Sequence, residues 1–201
     1  MCLLAVLYRM TEDAPVVIGA NREEHFARPG EPPQFQSTTA RLLAGRYPQE
    51  GGTWLGLNEH GLIVAVTNRR ITEAPENPRS RGLLVRDLLG CPGASVATGM
   101  ALTELAKKRY RGCNLFLADA DNAIVIQAAD WLRVHPLPPG IHVITNTDLN
   151  SDTDPRSRHA MEWLSERVTT RSEDCLELLK ELCSQTGEDS APMCLREENR
   201  G

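Results

Sequence analysis

Short apolar runs separated by polar turns divide the first part of the chain into strands. The segments CLLAVLY and PVVIGA flank the polar turn RMTEDA, which is the pattern of a β-hairpin. TWLGLN and LIVAVT flank the turn NEHG in the same way, and Gly61 supplies a residue that adopts positive φ easily. Both strands of this second hairpin are apolar at nearly every position, so we expect them to be covered on both faces.

The pattern changes twice further along the chain. Residues 27–53 contain several prolines and the pair Gly51-Gly52, which predicts a long ordered loop. After Pro78, SRGLLVRDLLG and ASVATGMALTELAKKR have the apolar spacing of two helices. Strands are predicted at CNLFLAD, NAIVIQAA, WLRVHP and IHVIT, and two amphipathic helices at RSRHAMEWLSERV and SEDCLELLKELCSQ.

The order of these elements predicts the fold class. Strands, a helix pair, further strands and a second helix pair favour antiparallel sheets with segregated helices over a doubly wound parallel sheet. Two apolar-faced sheets packed on each other and flanked by helices would satisfy every burial requirement. We therefore predict an α+β fold, a four-layer αββα sandwich, formed by residues 1–201 as a single domain.

Composition narrows the range of partners. A net charge of −5 and a pI near 5.6 leave no excess of basic residues to neutralise phosphates, which argues against nucleic-acid binding. No segment approaches the roughly 20 apolar residues of a membrane span, and the first apolar run lacks the features of a signal peptide. We expect a cytoplasmic protein with free cysteines. Neither cysteine nor histidine spacing predicts a metal site.

The cysteine behind the initiator methionine is the first candidate for chemistry. Removal of Met1 would leave Cys2 with both a thiol and a free α-amine, and so with a nucleophile and a base on one residue. The alternative is structural, because a cysteine at the head of an apolar strand is commonly a small buried hydrophobe.

Polar clusters at predicted strand ends supply candidate neighbours for Cys2. An N-terminal thiol needs an orienting charge and donors for an oxyanion. The candidates are Asn21, Arg22, Glu23 and Glu24 after one strand, Asn68, Arg69 and Arg70 after another, Asn146 and Asp148 after a third, Arg156 or Arg158 at the next helix start, and Trp54 for a pocket wall. Each group also has a structural interpretation: a surface ion-pair cluster, a solvated strand end, or turn-forming residues.

The same residues carry a family resemblance. ANREEH followed by ARP, GGTWLGLNEHGLIVAVTNRR, SRGLLV, NLFLAD and a late TN resemble the NRDE family, also called the TANGO2 family. The motif that names this family, Asn-Arg-Asp-Glu, reads Asn21-Arg22-Glu23-Glu24 here, so the third residue is a glutamate. The family resembles the N-terminal nucleophile (Ntn) hydrolases, and its members usually continue into a further strand, which implies that this chain is truncated before it.

The resemblance implies roles for the candidates and leaves two functions open. Cys2 would be the catalytic nucleophile with Arg22 and Glu23 beside it, and Asn68 and Asn146 would contact the oxyanion or the substrate. One function is then hydrolysis of a non-peptide carbon–nitrogen bond in a small acylated molecule, without a cofactor. The other, also implied by the resemblance, is a non-catalytic carrier of haem or of acyl-CoA or lipid, with Cys2, His25 or His60 as the possible haem ligands.

Overall fold

The computed structural model describes residues 2–24, 27, 30–37, 40–48, 50–186 and 192–194. The described residues form ten strands and four helices. In chain order these are β1 (Cys2–Tyr8), β2 (Val16–Arg22), β3 (Glu31–Ser37), β4 (Arg41–Arg46), β5 (Leu55–Asn58), β6 (Ile63–Asn68), α1 (Arg81–Leu88), α2 (Ala94–Ala106), β7 (Cys113–Ala118), β8 (Ala123–Ala128), β9 (Leu132–Pro136), β10 (Gly140–Ile144), α3 (Pro155–Ser165) and α4 (Ser172–Ser184).

The chain divides into two compact units, which we call the terminal unit and the central unit. The terminal unit comprises Met1–Arg28 and Leu137–Gly201, and the central unit comprises Pro29–Pro136. Each unit contains one antiparallel sheet and two helices, in the strand orders β10-β1-β2 and β3-β4-β5-β6-β7-β8-β9. The predicted α+β class with antiparallel sheets and segregated helices is confirmed.

The sheet of the terminal unit packs one face against its helices. Helix α4 lies on β2 and α3 lies on β10. Leu3, Ala5 and Leu7 of β1 join this core with buried residues of the helices, such as Ala160 and Leu179. Because side chains alternate between the faces of a strand, Cys2 projects from the opposite face of the sheet.

The helices of the central unit cover one face of the seven-stranded sheet. Helix α1 lies on β5 and β6, and α2 lies on β7 and β8. Their buried residues form one apolar cluster with alternate residues of the strands, including Val64, Val66, Leu115 and Ile126. The helix pair and the strands predicted for this part of the sequence are therefore confirmed.

The prediction of a loop over residues 27–53 was wrong, because this region contains β3 and β4. Strand β4 buries Leu42 and Ala44 at alternate positions, which is the period of a half-buried strand. Among the described strands β3 is at the edge of its sheet, and proline is tolerated in an edge strand because one side of it makes no ladder hydrogen bonds. Pro32 and Pro33 coincide with the register irregularity between Glu31 and Gln34.

The second predicted hairpin is confirmed, but its first strand is not covered on both faces. Strand β6 is buried along most of its length, whereas Leu57 of β5 is 39% exposed. Gly61 has φ 81° in the turn between them, as the sequence predicted. No described helix has the length and hydropathy that crossing a bilayer requires.

Asn58 joins the β5–β6 turn to the end of α1. Its Nδ2 donates to the carbonyl oxygens of Leu89 and Cys91 at 2.9 and 2.8 Å, and its Oδ1 accepts from the backbone N–H groups of His60 and Leu62. All four hydrogen-bonding positions of this buried amide are therefore used. Removal of the Asn58 side chain would take this hydrogen bond from four backbone groups at once.

Replacing Asn58 with Ala should lower the free energy of unfolding by about 2–4 kcal/mol, because buried backbone groups lose their partners. Urea unfolding followed by circular dichroism measures the change. Asn77→Ala, at an exposed position of the same unit, should stay within about 0.5 kcal/mol of the parent. Equal effects of the two substitutions would contradict this role of Asn58.

Candidate active site

The three strands of the terminal unit align Asn146, Cys2 and Arg22 in one row. Cys2 lies directly opposite Arg22 in the β1–β2 register. On the other side, Leu4 pairs with Ile144, so the same register continued by two residues brings Cys2 beside Asn146. The backbone nitrogen of Cys2 donates to Oδ1 of Asn146 at 3.1 Å. The predicted neighbours Arg22 and Asn146 are therefore brought to Cys2 from both sides.

The thiol of Cys2 is buried and protonated at neutral pH. Only 8% of the residue is exposed, and this burial raises the pKa of the thiol. The positive charge of the chain's N-terminus is the largest effect that lowers the pKa. The negative charge of Glu23 raises it, and the hydrogen bond from the backbone N–H of Glu23 and the charge of Arg22 lower it. Burial dominates, so the thiol is a weak nucleophile while Cys2 remains inside the chain.

Glu23 contacts the site through its main chain and directs its carboxylate elsewhere. Its Oε1 accepts from Nη2 of Arg156 at 2.6 Å and its Oε2 accepts from Nη1 at 3.1 Å, a bidentate ion pair. Both side chains are buried, with 4% and 10% of their surface exposed. From the sequence, Arg156 and Arg158 are equivalent candidates. In the structure Arg156 is buried in this ion pair, whereas Arg158 is exposed.

Side chains alternate between the two faces of a strand, so consecutive residues of the motif Asn21-Arg22-Glu23-Glu24 make different contacts. Arg22 is on the face of Cys2 and forms an ion pair with Glu24 at 3.6 Å. Asn21 is on the helix face, where its Nδ2 donates to the carbonyl oxygens of Cys183 and Met193 at 2.7 and 2.9 Å. Both hydrogen bonds donated by the Asn21 side chain therefore go to backbone carbonyl groups. A contact between Asn21 and a substrate stays a prediction.

The loop that carries Asn146 is fastened to the start of α3. Asp154 caps this helix by accepting from the backbone N–H of Arg156 at 3.0 Å. The same carboxylate accepts from the hydroxyls of Thr145 and Thr147 at 2.5 and 3.0 Å. Burial acts to raise the pKa of Asp154, but these hydrogen bonds lower it below its usual value. Asp148 is exposed in this loop.

Sequence reasoning missed Asp154 and Thr145 as the residues that position Asn146. The signal was present, because an aspartate followed by proline is a common helix start, with the acid as the cap and proline at the first helical position. The partner of Glu23 could not be chosen from spacing, since Arg156 and Arg158 both lie in the first turn of the same helix.

Four other predicted site residues belong to the central unit. Trp54 is half-buried and packs against the core of that unit. Asn68 and Arg70 are exposed at and after the end of β6. Arg69 is half-buried, donates to Oδ1 of Asn114 at 3.3 Å, and lies 5.1 Å from the ring centre of Trp131. The roles proposed for these four residues in binding and catalysis stay predictions.

Comparison with known proteins identifies the family. A family model described as Transport and Golgi organisation 2 matches residues 1–199. The chain belongs to this family. The Homo sapiens Transport and Golgi organization protein 2 homolog is 31% identical over 111 residues, which cover 54% of this chain and 40% of that protein. For the Mus musculus homolog the identity is 30% over 144 residues, or 68% and 52% of the two chains.

These matches span about two fifths to one half of the length of the curated Transport and Golgi organisation 2 relatives. The fold is shared more widely. A Caenorhabditis elegans N-acylethanolamine-hydrolyzing acid amidase ortholog superposes with a TM-score of 0.63 at 15% identity, covering 94% of this chain and 88% of that chain. The predicted likeness to the Ntn hydrolases is therefore confirmed at the level of the fold.

The haem ligation considered for Cys2, His25 and His60 stays a prediction. Cys2 is buried with a raised thiol pKa, so binding of haem iron would have to displace the thiol proton, because the ligand is the thiolate. His60 is exposed in the tight β5–β6 turn, and His25 lies outside the described residues. The described part of the chain also contains no cluster of three or more His, Cys, Asp or Glu side chains that could hold a metal ion.

In a chain that retains a residue before Cys2, iodoacetamide should alkylate Cys2 at least about tenfold more slowly at pH 7 than it alkylates the free peptide MCLLAVL. The physical reason is the raised pKa, which keeps the thiol protonated until the pH exceeds its ordinary titration range. Mass spectrometry of the N-terminal peptide measures the rate as a function of pH. Equal rates for protein and peptide would contradict the buried thiol.

Proposed function

We propose that this protein is an amidohydrolase that uses Cys2 as its nucleophile after cleavage of the peptide bond before Cys2. Its substrate would be a small acylated molecule with a non-peptide carbon–nitrogen bond. The observation that carries the proposal is the hydrogen bond from the Cys2 nitrogen to Oδ1 of Asn146, which holds the atom that cleavage would convert into an amine.

Cleavage would change the chemistry of this nitrogen without moving it. As a peptide nitrogen it has no basic lone pair, whereas a free α-amine titrates near pH ~7.7–8.0. Asn146 would accept one N–H of the amine and orient the remaining positions. The protonated amine next to the sulfur would favour the thiolate and offset the effect of burial.

The reaction then follows from the groups present. The Cys2 thiolate attacks the amide carbonyl carbon, and the negative charge that develops on the oxygen needs hydrogen-bond donors. The carboxamide NH₂ of Asn146 is the proposed side-chain donor in the terminal unit. As the carbon–nitrogen bond breaks, the Cys2 ammonium gives its proton to the leaving amine, and an acyl thioester remains. Water attacks this thioester, the Cys2 amine takes a proton from the water, and the carboxylic acid leaves.

Arg22 is the proposed source of positive charge on the same face. Its guanidinium already lowers the pKa of the Cys2 thiol, and it is half-buried beside Glu24. It would stabilise the thiolate or bind a carboxylate on the leaving group. N-Acyl amino acids and N-acylethanolamines are therefore the first substrates to test, the second because the structural relative from Caenorhabditis elegans hydrolyses them.

A carrier function is the second candidate, and the burial of Cys2 favours it. A thiol with a raised pKa behaves as a packing group, so the same fold would then bind a small acylated molecule without cleaving it. Turnover and binding measured on the same variants separate the two functions.

Protein prepared with Cys2 as its first residue should hydrolyse at least one amide of such a panel, and Cys2→Ala should lower kcat/KM by about 1000-fold or more. Release of the free amine, followed by a fluorogenic amine reagent, measures the rate. Protein with a residue retained before Cys2 should be as inactive as the alanine variant, because it lacks the base.

Cys91→Ala is the matched control, since it removes a buried thiol of the central unit and should leave the rate unchanged. Activity that survives in Cys2→Ala would reject the nucleophile. If no preparation turns over any amide but fatty-acyl compounds bind equally to the parent and Cys2→Ala, the carrier function replaces the proposal.

Asn146→Asp and Asn146→Ala should separate the two roles proposed for this side chain. Aspartate keeps an acceptor for the Cys2 nitrogen but loses the NH₂ donor, so kcat should fall about 100-fold, the typical effect of losing an oxyanion donor. Alanine removes both the acceptor and the donor, so the kcat of Asn146→Ala should fall at least as far. Near-normal kcat in both variants would remove Asn146 from the mechanism.

A further inference from the structure

Two cysteines that the proposed mechanism does not use are partly exposed at the surface of the terminal unit. Cys183 is in the last turn of α4, and Cys194 is in the short stretch of residues 192–194, which we call the Met193 segment. All six cysteines of the chain are free thiols, and the other four are buried. An oxidant in solution therefore reaches Cys183 and Cys194 before the rest.

Main-chain hydrogen bonds place the Met193 segment against the end of α4. The backbone N–H groups of Met193 and Cys194 both donate to the carbonyl oxygen of Gln185, at 3.0 and 2.9 Å. On the sheet side, Nδ2 of Asn21 donates to the carbonyl oxygens of Cys183 and Met193 at 2.7 and 2.9 Å. One amide group therefore joins the main chain of Cys183 to that of the residue before Cys194.

The two sulfur atoms are also within electrostatic range of each other. Burial raises the pKa of the Cys183 thiol to about 11, and negative charge on Cys194 is the second cause that raises it. Such an effect is largely screened beyond about 10 Å, so the two thiols share one small region. A disulfide needs Cα atoms within about 7 Å of each other, so bond formation requires the Met193 segment to remain docked on α4.

The Met193 segment is part of the core of the terminal unit. The Met193 side chain is fully buried in the same apolar cluster as Leu179 and Leu182 of α4. Its carbonyl oxygen accepts a second hydrogen bond, from Nη2 of Arg156 at 2.7 Å. If the segment left its place, this burial and these hydrogen bonds would be lost together, so a covalent bond that holds the segment would stabilise the terminal unit.

We propose that Cys183 and Cys194 are a redox-sensitive thiol pair, and that the disulfide between them fastens the Met193 segment to the end of α4. In a reducing environment the pair remains two thiols, as in the structure. Under oxidising conditions a covalent bond holds the segment in addition to its packing. The proposal does not rest on hydrolysis by Cys2, because the Met193 segment and α4 contact the helix side of the sheet and Cys2 projects from the other side.

The oxidant is a small disulfide such as oxidised glutathione. One cysteine loses its proton, and its thiolate attacks a glutathione sulfur, which forms a mixed disulfide and releases one glutathione thiolate. The second cysteine then loses its proton and attacks the protein sulfur of the mixed disulfide, which forms the Cys183–Cys194 bond and releases the second glutathione. In sum the pair loses two protons and two electrons, and one oxidised glutathione becomes two molecules of reduced glutathione.

The test is oxidation of the folded chain with oxidised glutathione at about pH 8, followed by alkylation of the remaining thiols and mass spectrometry of a non-reduced digest. We expect one pair of peptides, linked through Cys183 and Cys194, and a protein mass lower by two hydrogen atoms. The melting temperature should rise by about 5 °C or more, because the bond restricts the unfolded chain, and dithiothreitol should reverse the rise.

Cys183→Ala and Cys194→Ala each remove one partner, so neither variant should show the rise after the same treatment. Cys91→Ala is the matched control, since it removes a buried thiol of the central unit and should keep both the link and the rise. Each melting temperature is compared with that of the same variant in dithiothreitol, which separates the effect of the bond from that of the substitution. Where an alanine variant does not fold, the link in the parent protein decides the result.

A glutathione adduct on either cysteine without a link would overturn the inference, as would a link that joins one of them to Cys2 or to another cysteine. A Cys183–Cys194 link that forms in urea but not in the folded chain would also contradict it, because the fold would then keep the thiols apart. A link without a rise in the melting temperature would show that the bond does not fasten the Met193 segment, and the inference would fail.

The outcome is separate from the proposed hydrolysis. Cys2→Ala should form the same link and show the same rise, whether or not the parent protein cleaves an amide. If the link forms as expected but no amide is cleaved, the thiol pair stands and the proposed function fails. If amides are cleaved by the Cys2 thiol and no link forms, the proposed function stands and the thiol pair fails.

Discussion

The backbone hydrogen bonds of three antiparallel strands hold Cys2 between Arg22 and Asn146, and the candidate site depends on this register. A shift of one residue in either strand pair would turn the neighbouring side chains to the opposite face of the sheet. Leu3, Ala5 and Leu7 face α3 and α4, and Cys2 is on the opposite face. Because β1 is buried at every position, its own hydrophobic pattern does not select this register, and the pairing with β2 and β10 places Cys2.

Polar contacts then adjust what the register has placed. On the helix side of the sheet, Asn21 and Arg156 both donate to the carbonyl oxygen of Met193, and Arg156 binds Glu23. On the other side lie the thiol and Arg22. Each polar side chain of the motif therefore makes its contacts on one face of the sheet. Arg22 is on the face of Cys2, whereas the side chain of Glu23 is on the helix side and supports the fold. The glutamate in place of the family's aspartate reaches Arg156 in this arrangement.

Most of the fold could be predicted from the sequence, because apolar periodicity is strong where elements are buried. Strand β1 is buried at all seven positions, and α4 has its buried residues at helical spacing. The prediction failed at β3 and β4. Strand β3 is an exposed edge strand with two prolines, and its partner among the described strands is β4, so local composition across both is typical of a loop. Whether an exposed segment forms an edge strand depends on its pairing with the neighbouring strand and not on its own hydrophobic pattern.

The candidate site was predictable in part for the same physical reason. Cys2, Arg22 and Asn146 stand at strand ends, and strand pairing brings strand ends together, so their approach follows from the order of the elements. The Glu23–Arg156 pair joins residues 133 positions apart in the chain, and nothing local selects Arg156 over Arg158. Contacts between a strand end and a helix side depend on the rotation of the helix, which only tertiary packing determines.

The intact mass of the protein isolated from cells that express it naturally, combined with the sequence of its N-terminal peptide, decides whether Cys2 can act as both nucleophile and base. We expect a chain that begins with Cys2, carries a free amine there and gains the mass of one acyl group on the Cys2 thiol when it is quenched during turnover. A native protein in which another residue still precedes Cys2 would rule out this chemistry, because the nitrogen hydrogen-bonded to Asn146 would remain a peptide nitrogen without a basic lone pair.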